Sequence, residues 1–271
     1  MKNFRQMAAA AVAAVMIMVG YSGAAAAGTI ILEGSDAIGF HSNSVTGAAT
    51  YRDQVWRAIG AFDSRKIAVI GSGNGAIVSG SHPVIDFASV AAAGTLNNYV
   101  ALYFLAGSGC CAENDSLITA GTAQTDVMAY LAGGGTVMIQ DYIGGTAWDW
   151  AIGAGGNGNA HVAGAYGGLG GNSCSDGETV SAVGTANGFT QPPTIGCWAH
   201  QAYETSFFGP LGFTNSFFNG AADMGGAGFS SLLSMGSTVT VTQATGVPEP
   251  TSMAVLAMGI AAFGVARRRR A

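Results

Sequence analysis

Apolar residues along the first half of the chain fall into short runs that do not alternate with polar ones. Thr29-Ile30-Ile31-Leu32, Lys66 to Ile70, Tyr99 to Leu105 and Thr136 to Ile139 each read as a strand. Glycine-rich turns close several of them, such as Gly71-Ser72-Gly73-Asn74-Gly75 after the second. Within Tyr51 to Phe62, Val55, Trp56, Ile59 and Phe62 recur at helical spacing. Thr122 to Leu131 predicts a helix, with Gly133-Gly134-Gly135 as its stop. Val84 to Ala93, after Pro83, is expected to give one or two helical turns. Strands apolar throughout are buried on both faces, and their alternation with helices predicts parallel pairing. The expected fold class is α/β, a doubly wound, mostly parallel sheet.

The second half is less periodic. Residues 153–188 are rich in Gly, Ala, Asn and Ser and read as an insertion or loop pinned at Cys174. Cys197 to Phe208 predicts a short helix, and Leu232-Leu233 with Thr238 to Thr242 suggests a closing strand or hairpin. One α/β domain is therefore expected over residues 28–242, long enough for its own core.

Both ends carry a different signature. Lys2 and Arg5 precede an apolar run, Met7 to Gly20, and Ala25-Ala26-Ala27 stands before Gly28. Residues 1–27 thus read as a signal peptide, with Ala25 and Ala27 forming the A-x-A cleavage site. At the other end, prolines in Val247-Pro248-Glu249-Pro250 lack backbone N–H groups and fix φ, so the globular part ends before them. An uncharged run, Thr251 to Ala266, leads to Arg267, Arg268, Arg269 and Arg270. As a helix it spans about 24 Å at ~1.5 Å per residue. A typical hydrocarbon core is about 30 Å thick. So short a helix fits a processing signal better than a permanent anchor, and the arginines would stay on the cytoplasmic side.

These three parts, in this order, resemble the PEP-CTERM sorting signal over about the last tenth of the chain. The resemblance implies export through the inner membrane of a bacterium and processing by a membrane-embedded exosortase. Delivery to the cell surface or exopolysaccharide matrix follows from it. The segments are then a linker and motif (243–250), a transmembrane helix (251–266) and an Arg-rich cytoplasmic end (267–271). The expected partners are the exosortase, the inner membrane before processing and extracellular polysaccharide after it. A retained tail holding a membrane-anchored surface domain is the alternative fate.

Six of the ten basic residues lie in these two signals. The body keeps Arg52, Arg57, Arg65 and Lys66 against fourteen acidic residues, a net charge of −10. A body so acidic has no basic patch for phosphate backbones, so no nucleic-acid partner is expected. Only 9% of residues are charged, which leaves the surface to Gly, Ser, Thr and Asn.

Open parallel sheets bind ligands beyond the carboxyl ends of their strands. Glu33, Asp36, Ser72, Asn74 and Asp141 stand there and form the expected ligand crevice. Gly71 to Ala76 fits G-x-G-x-x-A, but His82-Pro83 interrupts the helix this pattern requires, so it reads as a turn and no nucleotide is expected. The four histidines are scattered without H-x-x-x-H or C-x-x-C spacing, and no metal or other cofactor is expected. Trp148, Trp150, Tyr166 and Trp198 suit sugar stacking or plain packing, and packing is favoured.

The cadence of Asn97 to Gly107 and Thr125 to Asp141 is similar to the class I glutamine-amidotransferase-like (flavodoxin-like) fold, by pattern over Thr29 to Asp141. That resemblance implies a nucleophile elbow. Gly109-Cys110-Cys111-Ala112-Glu113 approaches it, with Cys111 as nucleophile and His200 and Glu204, at i and i+4 of the expected helix, as its partners. Glu113 replaces the second glycine, and the family's elbow follows the strand that here leads to Asp141. In an exported protein disulfide pairing is favoured over a free thiolate. Four cysteines allow three connectivities, and Cys174 with Cys197 is the expected pair. The favoured function is a binding or structural component outside the cell, with a cysteine-dependent hydrolase or amidotransferase-like enzyme as the alternative.

Overall fold

The computed structural model describes residues 28–236, apart from residues 36, 40–45, 61–62, 72–78, 107–113, 141–146, 165–166, 173 and 193–196. The segments read as terminal signals lie outside the described residues, as do Thr238 to Thr242. No helix among the described residues is long and apolar enough to cross a membrane.

The strand β1 (Thr29–Glu33) is followed by helix α1 (Thr46–Gly60). Tyr51, Val55, Trp56 and Ile59 form the buried stripe of α1, as the spacing predicts. Next come β2 (Ile67–Ile70), β3 (Val84–Phe87) and the short α2 (Val90–Ala93). The stretch read as helical turns is therefore half strand. Val-Ile-Asp-Phe is too short for its period to decide, and pairing with β2 settles it. Ser89 caps α2, its hydroxyl accepting from the Ala92 N–H at 3.2 Å.

The chain continues through β4 (Ala101–Phe104), α3 (Asp115–Thr119), α4 (Ala123–Ala132) and β5 (Thr136–Gln140). Gly134, at φ +88°, makes the left-handed turn that lets α4 end and β5 begin.

Beyond β5 lie α5 (Asp149–Ile152), β6 (Val162–Ala163), β7 (Thr179–Val180) and α6 (Ala182–Ala186). The expected loop at 153–188 thus holds elements of two to five residues, too short to show a period. Cys197 to Phe208 is also not one helix. It runs extended into β8 (Ala202–Glu204) and only then turns into α7 (Thr205–Phe208). The antiparallel strands β9 (Asn215–Asn219) and β10 (Phe229–Ser234) complete the described chain, and Leu232 and Leu233 lie in β10.

All ten strands share one mixed sheet. β3, β2, β4, β5 and β1 pair in that order and in parallel. β10 then joins β1 antiparallel, and β6 to β9 attach around β10, also antiparallel. The sheet is thus mixed, where a mostly parallel one was expected. The antiparallel half comes from the part of the sequence that lacks a clear period.

Alternate residues of each strand enter opposite cores. Ile31, Ile67, Val69, Ala101, Tyr103 and Met138 meet α1, Phe189, Trp198 and Phe217 on one side. Ile30, Leu32, Ala68, Ile70, Leu102, Phe104, Val137 and Ile139 meet α2, α4, α5 and Phe208 on the other. Cover on both sides explains why the strands read as continuous apolar runs.

At the end of β1, the Gly34 carbonyl accepts from the backbone N–H groups of His200 (2.7 Å) and Gln201 (3.1 Å). A Cβ on Gly34 would stand 2.0 Å from the Gln201 carbonyl oxygen. Gly34→Ala should therefore cost about 1–3 kcal/mol or more, because backbone must move. Urea unfolding measures it, and a variant as stable as the parent would contradict this close approach.

Candidate functional site

The carboxyl end of β1 gathers polar side chains in a protein that has few charges. Glu33, 0% exposed, closes β1. Its carboxylate accepts from the Tyr51 hydroxyl of α1 at 2.7 Å and from the Tyr103 hydroxyl of β4. Its carbonyl accepts from the Tyr203 hydroxyl of β8 at 2.9 Å. Glu33 thus ties three elements together and is enclosed by them, so it is not presented to a ligand.

Beside it, the Gln140 side chain accepts from the Ala106 N–H (2.9 Å) and donates to the Ser35 carbonyl (3.1 Å). Asn114 donates to the Gln140 carbonyl (3.0 Å) and accepts from the Trp148 indole N–H (2.8 Å). This chain of bonds links β1, β4, β5 and the segment entering α5. Of the expected crevice, Asp36, Ser72, Asn74 and Asp141 lie outside the described residues.

Past Gly34, the chain forms a bridge between Ser35 and Ala199, and Ser175 bridges Ala199 as well. Cys174 and Cys197 are joined there as a disulfide, with Cα atoms 4.7 Å apart. Cys110 and Cys111 lie outside the described residues. His200, 2% exposed, stands against the bridge, its ring nitrogens 3.5 and 3.7 Å from Cys197 Sγ.

Glu178 lies close by and is 1% exposed. Neither of its carboxylate oxygens has a hydrogen-bond partner in another described residue. Its carboxyl is pushed up to about 7, chiefly by burial; a bond from its own backbone N–H opposes the rise, Asp176 and Asp223 add to it, and His200 opposes it. Asp223 itself is held below the usual range by hydrogen bonds from Asn172 (3.0 Å) and Ser175 (2.8 Å).

The expected pairing of His200 with Glu204 on one helical face does not occur, because no helix forms there and Glu204 ends the strand β8 that begins at Ala202. Glu204 instead meets His161 Nδ1 at 2.7 Å and accepts from the Ser206 hydroxyl at 2.7 Å. Those hydrogen bonds, His161 first, hold its carboxyl below the usual range. The His161 ring stacks on Phe207, with centroids 3.8 Å apart and planes 7° apart. Sequence spacing missed this partner, since 43 residues separate the two. With Cys111 outside the described residues, His200 beside a disulfide and Glu204 bound to His161, the described residues assemble no cysteine-nucleophile triad.

A cleft of about 150 Å³ opens between α1 and the segment after α6. Thr50, Tyr51, Gln54, Thr190, Gln191 and Trp198 line it, and none is charged. Gln54 donates to the Thr190 hydroxyl at 2.8 Å, which fixes the two walls together. Trp148 and Trp198 are both buried in the cores, as packing requires.

Residues 246–270 match the family described as the PEP-CTERM protein-sorting motif. The chain therefore carries the sorting signal of an exported, exosortase-processed protein, and the resemblance seen in the tail holds. No curated protein and no solved structure matches the chain.

Two outcomes follow from the buried carboxylates. Tyr103→Phe removes one donor from enclosed Glu33 and should cost about 1–3 kcal/mol. A lower urea midpoint at unchanged slope reports it, and an unshifted midpoint would show the bond to be idle. For Glu178, the folded protein favours the protonated form, at about 7 against the ordinary 4.5. Its contribution is complete below pH 4.5 and is lost as pH rises through 7, about 3 kcal/mol in all. Glu178→Gln should then melt higher than the parent at pH 8, relative to their difference at pH 5. An equal difference at both values would rule this out.

Proposed function

We propose that the protein is a binding or structural component of the bacterial cell surface or exopolysaccharide matrix, trimmed at both ends on its way there. The observation that carries this reading is the sorting motif at residues 246–270. Cleavage after Ala27 releases a body that begins at the strand β1, and exosortase action near Pro248-Glu249-Pro250 removes the helix and the arginines. The disulfide suits an oxidising compartment. The uncharged cleft beside Tyr51 and Gln54 favours a neutral, hydroxyl-rich ligand over an ionic one, which is the chemistry of a polysaccharide. A body with a net charge of −10 repels other polyanions.

Intact mass of the protein recovered from the extracellular fraction of an exosortase-bearing host tests the proposal. Two cuts are expected, one near Ala27 and one near Pro248 to Pro250. Deleting residues 247–271 should abolish the second cut and change where the protein is found. A full-length form that keeps its tail and stays with the membranes would instead establish a permanent anchor.

A further inference from the structure

Three soft ligand groups converge beside the end of β1. The sulfurs of Cys174 and Cys197 and a ring nitrogen of His200 all lie within 4.8 Å of one another. Cys197 Sγ is 3.5 Å from His200 Nε2. A tetrahedral zinc ion, with Zn–S of about 2.3 Å and Zn–N of about 2.0–2.1 Å, sets its S···N edge at roughly 3.5 Å. The separations are thus of the right size, and a turn of the His200 ring, whose two nitrogens stand almost equally far from Cys197 Sγ, would aim one nitrogen at the ion. The backbone around it is fixed from two directions. Trp198 N–H donates to the Ser175 carbonyl at 2.8 Å, and His200 N–H donates to the Gly34 carbonyl at 2.7 Å.

We propose that, once the disulfide is reduced, Cys174, Cys197 and His200 bind a thiophilic divalent cation, with zinc the best geometric match. The disulfide and the metal complex are then alternative states of one site. A dithiol supplies two electrons and two protons, which convert the disulfide to two thiols while the dithiol becomes a cyclic disulfide. The divalent ion then takes two thiolates and one neutral imidazole, and two protons leave. The ion undergoes no redox change. Which state exists follows the compartment: thiols persist in a reducing cytoplasm, and disulfides persist outside it.

The test uses the full chain carrying Cys110→Ser and Cys111→Ser, so that other thiols do not contribute. Reduced with a phosphine and titrated with cobalt(II), it should bind one ion per chain with a thiolate-to-cobalt charge-transfer band. Zinc should displace the cobalt, and the unreduced protein should give no band. His200→Gln should weaken cobalt binding roughly tenfold or more. Should that buried substitution prevent folding, Cys174→Ser at a half-buried position is expected to give the same loss. No charge-transfer band in the reduced protein, or unchanged affinity in a folded variant, would overturn the proposal.

Discussion

The strand β1 is the one element that hydrogen-bonds to both halves of the sheet. It pairs in parallel with β5 along its whole length and antiparallel with β10 from Ile31 to Glu33. Its direction is carried on by Gly34 and Ser35 into the segment that holds His200 and Gln201. The antiparallel strands are therefore positioned by the pairing of β1 with β10 and by the bonds that Gly34 makes just beyond it. A side chain at Gly34 would occupy the space of the backbone it bonds to. The parallel half, the disulfide and the antiparallel half all meet at this point.

Scarcity of charge shapes the rest. With so few ionic side chains, the body relies on buried polar groups that are satisfied one by one. Glu33 is shared among three tyrosines from three elements. Gln140 and Asn114 join backbone groups from several strands to the Trp148 indole. Such groups specify one arrangement of the layers, because any other would leave a polar atom stranded in an apolar core. Exceptions among the described residues are the Glu178 carboxylate, the Trp150 indole N–H, the Gln201 amide nitrogen and the Ser231 hydroxyl.

Sorting and folding are separate instructions in this chain. The family match begins at residue 246, after the last described strand, and calls on nothing in the sheet. Within the body, the disulfide closes a loop whose cysteines lie 23 residues apart, which limits the unfolded chain.

The sorting motif was legible in the sequence because arginine block, hydrophobic run and proline break are local and linear. So were β1, β2, β4, β5, α1 and α4, whose residues are either buried on both faces or striped at helical spacing. The tertiary structure alone decided the antiparallel half, since strands of two or three residues such as β6, β7 and β8 carry no period and form only when a neighbour offers partners. It also decided who meets whom. Glu204 pairs with His161 instead of His200 because the extended chain leading through β8 carries residues four apart about 13 Å from each other, at ~3.3 Å per residue, where a helix would have stacked them one turn apart. The spacing Cys197-x-x-His200 was a faint local sign of the convergence at the disulfide. Its third member, Cys174, was the expected disulfide partner of Cys197, and the bridge between Ser175 and Ala199 holds the two segments side by side. Sequence records neighbours along the chain; contacts between distant residues wait on the fold that closes the distance.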